Sequence, residues 1–198
     1  MASTTKERIL NEALSAFSEY GYKGTNLRDF ADRLGLSKSA LYKHFESKDD
    51  ILNALIDQME AYYGENFITA VSNSPVPENW EELMNLTVRM FSFTVHDERV
   101  VKIRKLLLTE QYHNDRIRQV ARAHFTSDLE EAFEKVFAGM MKNGIVKGTD
   151  AAMLAFSYVA PISTLVHSVD RDPDTEAEAM DKLKAFIAYF SEINGIRE

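Results

Sequence analysis

Apolar positions recur at helical spacing from the first residues of the chain. Ile9, Ala13, Ala16, Phe17 and Tyr20 form one stripe, opened by a capping pair, Thr4 with Glu7, and stopped by Gly21. After the turn "YKGT", with Thr25 or Asn26 as the next cap, Leu27, Phe30, Ala31 and Leu34 fall at i, i+3, i+4 and i+7. Gly35 is placed for the left-handed residue that ends this helix, and only Leu36 separates it from the next cap, Ser37. In the helix that follows, Leu41 and Phe45 point inward. Lys38 with Tyr42, and Ser39 with Lys43, line the other side. Two short helices joined by a tight Gly-containing turn are a helix-turn-helix. Ser47 with Asp50 then caps a longer helix expected to run to about Val71.

Beyond residue 50 the pattern stays helical. A loop is expected at 72–79 and helices at 80–95, 98–113, 115–144 (one long helix, ended at Asn143-Gly144), 150–169 and 175–193. No sustained alternation of apolar and polar residues marks a strand. The fold class is all-α: an N-terminal three-helix helix-turn-helix domain at 1–48 and a larger helical domain at 49–198.

Charge sharpens this division. The 198-residue chain has a formal net charge of −8, yet residues 1–48 carry eight Lys/Arg against six Asp/Glu and the remaining 150 carry 15 against 25. A mildly basic head on an acidic body places any polyanion at the head. There are no cysteines, which excludes disulfides, thiolate metal sites and a cysteine nucleophile. Lys6, Glu7, Arg8 and Glu12 break any signal-peptide core, and the longest apolar run, "AAMLAFSYVAPI", is too short to cross a bilayer. A cytoplasmic location and no membrane partner are expected.

The helix at 37–45 has the makings of a major-groove reader. Ser39 and Ala40 are small enough for close approach. Lys38 and Lys43 reach guanine acceptors or phosphates, and Tyr42 and His44 donate to phosphate oxygens. Lys48, and Thr25 or Asn26 at helix starts, stand where phosphate is attracted. A charged helix face is ordinarily just solvated. The tight turn, the buried stripe and the aromatic among basic residues together favour a DNA-reading face.

These residues resemble the N-terminal domain of the TetR family of bacterial transcription regulators. The resemblance runs over residues 5–52: Tyr20, Gly21 and Tyr22; then Thr25, Arg28, Asp29, Ala31, Gly35, Leu36, Ser37 and Lys38; then Leu41, Tyr42, His44, Phe45, Ser47 and Lys48. Ser39 and Lys43 stand where the family varies, so the operator sequence is not legible. The resemblance implies DNA contacts from Thr25, Ser37, Lys38, Ser39, Ala40, Tyr42, Lys43, His44 and Lys48, to which Asn26 and Arg28 are added. It further implies a homodimer, usually a repressor on a palindromic double-stranded DNA operator, released by a small-molecule effector in the C-terminal body. An activator, or a DNA binder without small-molecule sensing, would share the head. A helical enzyme or carrier is the alternative of a different class, although no phosphate loop or nucleophile elbow is present and no catalytic residue is assigned.

In the body, helix 151–169 is apolar nearly all round and must be covered on every side. With Met180, Leu183, Ile187 and Phe190 on the last helix, it suggests a four-helix interface between two chains, the alternative on the residues alone being that both helices pack only within one chain. Leu154, Tyr158, Ile162, Leu183, Ile187 and Phe190 are the expected interface residues. Pro161 is expected to kink the helix. Phe91, Tyr112, Phe156 and His167 are candidate walls of an effector pocket. Glu110 and His113 match a Glu-x-x-His metal pair, but no second copy exists, so no metal and no cofactor is expected.

Overall fold

A computed structural model describes residues 4–64 and 74–196. Their backbone is helical, with no strand beyond one isolated antiparallel bridge between Val146 and Gly195. The expected continuation of the fourth helix to Val71 lies outside the described residues. The chain divides into two compact units, one of Met1–Tyr63 with Glu98–Ala121 and one of Gly64–Asp97 with Arg122–Glu198. Packing therefore assigns Glu98–Ala121 to the unit that holds the helix-turn-helix.

In the first unit α1 (Thr5–Gly24) begins with the expected box: the Thr4 N–H donates to Glu7 at 2.8 Å and the Glu7 N–H to the Thr4 hydroxyl at 3.2 Å. Gly21 breaks its helical backbone at φ 73°, ψ 164°, a conformation open to glycine alone. α2 (Leu27–Arg33) closes on Gly35, at φ 66°; the Gly35 and Leu36 N–H groups bond back to Asp32 and Ala31, the left-handed stop the sequence implied. α3 (Lys38–Tyr42) is capped by Ser37, whose hydroxyl accepts from the Ala40 N–H at 3.1 Å. α4 (Lys48–Tyr63) follows Ser47, which caps Asp50 N–H at 3.0 Å. α6 (Glu98–Glu110) and α7 (Asp115–Arg122) complete this unit, α1 lying on both α4 and α6. Arg116 of α7 binds α4 through Asn53, Asp57 and Glu60.

The second unit contains α5 (Trp80–His96), α8 (Asp128–Lys142), α9 (Ala151–Arg171) and α10 (Glu176–Asn194). The single long helix expected over 115–144 is interrupted by a π-helical turn, Ala123–Ser127. α9 packs on α8, α10 and α5. Tyr158, fully buried, is the hub of this core: the rings of Phe133, Phe137, Phe186 and Phe190 stand 5.2–5.7 Å from its centroid. Its hydroxyl pairs with the buried Thr87 hydroxyl at 2.8 Å, so the one polar atom is satisfied. α9 runs on through Pro161 and, contrary to the expectation drawn from its shorter apolar run, is long and apolar enough to cross a membrane by length and composition. One face of it, Ala155, Tyr158, Val159, Ile162, Val166 and Val169, is buried in this core.

Candidate nucleic-acid interface

The helix-turn-helix is anchored from beneath. Phe30 and Ala31 of α2, and Leu41 and Phe45 around α3, are 6% exposed or less. Everything expected to read DNA from α3 stands on the outside: Ser37, Lys38, Ser39, Tyr42, Lys43 and His44 are exposed and Ala40 half-buried. Lys38 and Tyr42, one turn apart, share a face, the ammonium 5.8 Å from the ring centroid. Asn26 and Arg28 are exposed at the start of α2. The Asn26 side chain, not Thr25, is the cap, accepting from the Arg28 N–H at 2.8 Å. The result is a small cationic and aromatic face beside a helix start, chemistry suited to phosphate oxygens and base edges.

Two residues of the expected set are placed differently. Thr25 is 7% exposed and its hydroxyl donates toward the carbonyls of Gly21, at 2.9 Å, and Ala16, at 3.2 Å. It ties the end of α1 together. Lys48 turns inward: its ammonium donates to the carbonyls of Tyr22 and Thr25 (2.6 Å for Thr25) and lies 4.5 Å from the Tyr22 ring centroid. Burial lowers its pKa from the ordinary lysine value, offset in part by the charges of Asp49 and Glu110. The neighbouring Tyr22 hydroxyl donates to Asp49. Its pKa is raised chiefly by burial, then by that hydrogen bond and by the negative charges of Asp49 and Glu110. Lys48 and Tyr22 thus fix the floor under the DNA-facing surface.

In the body the structure separates the candidate residues. Of the expected pocket walls, Tyr112 is 80% exposed and Phe156 54%, so neither closes a cavity, whereas Phe91 is buried core. His167 is half-buried and meets the Phe125 ring at 5.9 Å, and His124 of the π-helical turn meets the same ring at 5.0 Å. The expected interface set is corrected more sharply. Tyr158, Leu183 and Ile187 are fully buried within their own chain, and Phe190 and Ile162 are 7% and 9% exposed, because they pack on α5 and α8. Leu154 is half-buried. The apolar surface left open on these two helices belongs to other residues: Met153 and Phe156 on α9, Tyr189 and Ile193 on α10. Alternation of the two stripes at helical spacing was the available signal. Glu110 accepts the Tyr22 N–H at 2.9 Å, and His113 is exposed.

Residues 9–55 match the family described as bacterial regulatory proteins, tetR family. The HTH-type transcriptional regulator AcrR of Shigella flexneri is 29% identical over 112 residues, 57% of this chain and 50% of its own length. The biofilm operon icaADBC negative transcriptional regulator IcaR of Staphylococcus epidermidis is 33% identical over 58 residues, 29% of this chain and 31% of its own. The chain thus spans half the length, or less, of these curated relatives. Among solved structures, a transcriptional regulator from Saccharomonospora viridis in complex with choline superposes with a TM-score of 0.74 at 20% identity, over 97% of this chain and 98% of its own. SmeT, the repressor of the Stenotrophomonas maltophilia multidrug efflux pump SmeDEF, does so at 0.69 and 19%, over 98% and 92%. At such identities the likeness establishes a shared fold along nearly the whole chain.

Proposed function

We propose that this chain, whose residues 9–55 match the tetR family of bacterial regulatory proteins, is a member of that family and a ligand-responsive transcriptional regulator: a repressor that binds a palindromic DNA operator as a homodimer and lets go when a small molecule binds its body. The observation that carries this reading is the exposed face of α3, where Lys38, Ser39, Tyr42, Lys43 and His44 are presented on a helix whose inner side chains are core. A paired helix must meet the next major groove about 34–36 Å away, which requires two copies held in fixed register. Met153, Phe156, Tyr189 and Ile193, apolar and open, are the surface proposed to hold them. The effector is proposed to be small and largely apolar or aromatic. The repressor SmeT has a structure with triclosan, an aromatic molecule of this kind, whereas the Saccharomonospora viridis regulator has one with choline, a small cation.

Selection of bound duplexes from a random pool tests the core of the proposal. A two-fold repeated sequence should emerge, with affinity falling steeply as salt rises. Recovery of no sequence, together with no salt-dependent binding, would refute it. A thermal-shift screen then supplies stabilising small molecules, and a stabiliser must weaken the selected complex by its differential affinity for the two body states. A stabiliser that leaves that complex untouched removes the sensing half of the proposal.

A further inference from the structure

We propose that Glu110, at the end of α6 and remote in sequence from the helix-turn-helix, is a positioning residue for DNA reading: its carboxylate clasps the break in α1 and so fixes where α2 begins. This inference rests on the DNA-binding reading above. The Tyr22 N–H, just past the break, donates to Glu110 Oε1 at 2.9 Å across 88 residues of sequence. A Cβ on Gly21 would stand 3.2 Å from the same oxygen, so the carboxylate is seated against the glycine. Glu110 is only 8% exposed, and a carboxylate is buried at considerable cost unless hydrogen-bonded.

The consequences pass along the backbone by short steps. Gly21 at φ 73° redirects the chain, and its carbonyl accepts from the Thr25 hydroxyl at 2.9 Å. The Tyr22 and Thr25 carbonyls both accept from Lys48 at the start of α4. Asn26, next in the chain, caps α2 and presents its exposed amide to the DNA side. Holding Tyr22 therefore sets the segment 22–26 between α1, α4 and α2. α6 takes no part in the reading surface itself, yet a shift of its last turn would move the acceptor from beneath that segment.

Reach and charge are separable by two conservative substitutions. Glu110→Gln keeps an oxygen at the same distance and loses the charge; Glu110→Asp keeps the charge and withdraws the oxygen by one methylene. With a duplex selected by the unaltered chain, E110Q should bind within about threefold of wild type and E110D about tenfold more weakly, the scale of one lost hydrogen bond to a charged group. Binding to non-selected duplexes should be the same for all three. E110D binding like wild type, or E110Q impaired as much as E110D, would overturn the inference. A measurement on the unaltered chain guards against misfolded variants: the Tyr22 amide should be protected from hydrogen exchange, and exchange at the rate of an unbonded amide overturns the clasp. If wild type selects no duplex at all, the DNA-binding reading has failed by itself and this inference falls with it.

Discussion

The two compact units are held together in different ways. The unit bearing the helix-turn-helix has an apolar core of its own, with Ile9, Phe17, Leu55, Ile56, Ile103 and Leu107 buried, and adds polar links between distant segments: Glu110 to Tyr22, Lys48 to the Tyr22 and Thr25 carbonyls, Tyr22 to Asp49, and Arg116 to Asn53 and Asp57. The other unit is built around Tyr158, with four phenylalanine rings about it and a single buried hydroxyl pair. The difference follows from what each must expose. α3 has five residues and buries only Leu41, and its outer face is the one proposed to meet DNA. Leu41, with Phe45 just beyond the helix, seats α3 on the core, and the hydrogen bonds above hold the segments that flank the helix-turn-helix, residues 22–26 and α4. α9 and α10 can spend a whole face each on packing.

The largest effect that would sharpen this contrast is expected at Leu183, fully buried in the aromatic unit. Leu183→Glu places an unpaired charge in that core and should cost several kcal/mol, enough to unfold the unit. Phe156→Glu, on the same layer but 54% exposed, should leave the fold intact and produce monomers. Circular dichroism and sedimentation on both variants decide it. A folded Leu183→Glu dimer would mean the core is misassigned, and a dimeric Phe156→Glu would remove α9's open face from the interface.

That pair also shows where the sequence stopped being legible. The apolar character of α9 and α10 was plain, but an all-round apolar helix does not say which stripe faces its own chain. Tyr158 and Leu183 were therefore assigned to the partner and Phe156 to a pocket, each displaced by the choice of face. In the head a single mixed face left no such freedom. Leu27, Phe30, Ala31 and Leu34 predicted α2, and Gly35 with Ser37 predicted the turn, residue by residue. What local pattern could not show there was the direction of long polar side chains. Lys48 and Glu110 are committed by partners far away in sequence, for which no spacing rule exists.

A smaller effect is expected at Lys48. Its ammonium holds two backbone carbonyls, so Lys48→Ala should destabilise the chain by about 1–2 kcal/mol, as for lost hydrogen bonds to a charged group. A lysine spent on phosphate would behave otherwise: stability would hold, and the salt slope of DNA binding would flatten by about one unit. Denaturant midpoints and a salt titration of the same variant separate the two roles. An unchanged midpoint with a flattened slope would place Lys48 on the DNA after all.

The smallest effect concerns two tyrosines and appears only in alkali. Tyr22 and Tyr158 both have hydroxyl pKa values raised above the ordinary tyrosine value, in each case chiefly by burial. At Tyr22 the hydrogen bond to Asp49 and the charges of Asp49 and Glu110 add to the shift; at Tyr158 the Thr87 hydroxyl opposes it. A raised pKa means the folded chain holds the proton more tightly than the unfolded one. The stabilisation is therefore fully present below the unfolded value, about 10, and is lost as pH rises through the folded value. Stability should be insensitive to these groups between about pH 7 and 9 and fall above about 10, by at most about 1.4 kcal/mol per pH unit for each tyrosine. Tyr22→Phe and Tyr158→Phe should each make that fall shallower. The Tyr22 effect should be the lesser, because its hydroxyl is partly open to water, which screens the charges around it. Urea midpoints at half-unit steps from pH 8 to 11 read this directly. If Tyr22→Phe falls as steeply as wild type while Tyr158→Phe does not, the Asp49 link is not holding the Tyr22 proton, and the head loses one of the polar ties that set it apart from the aromatic unit.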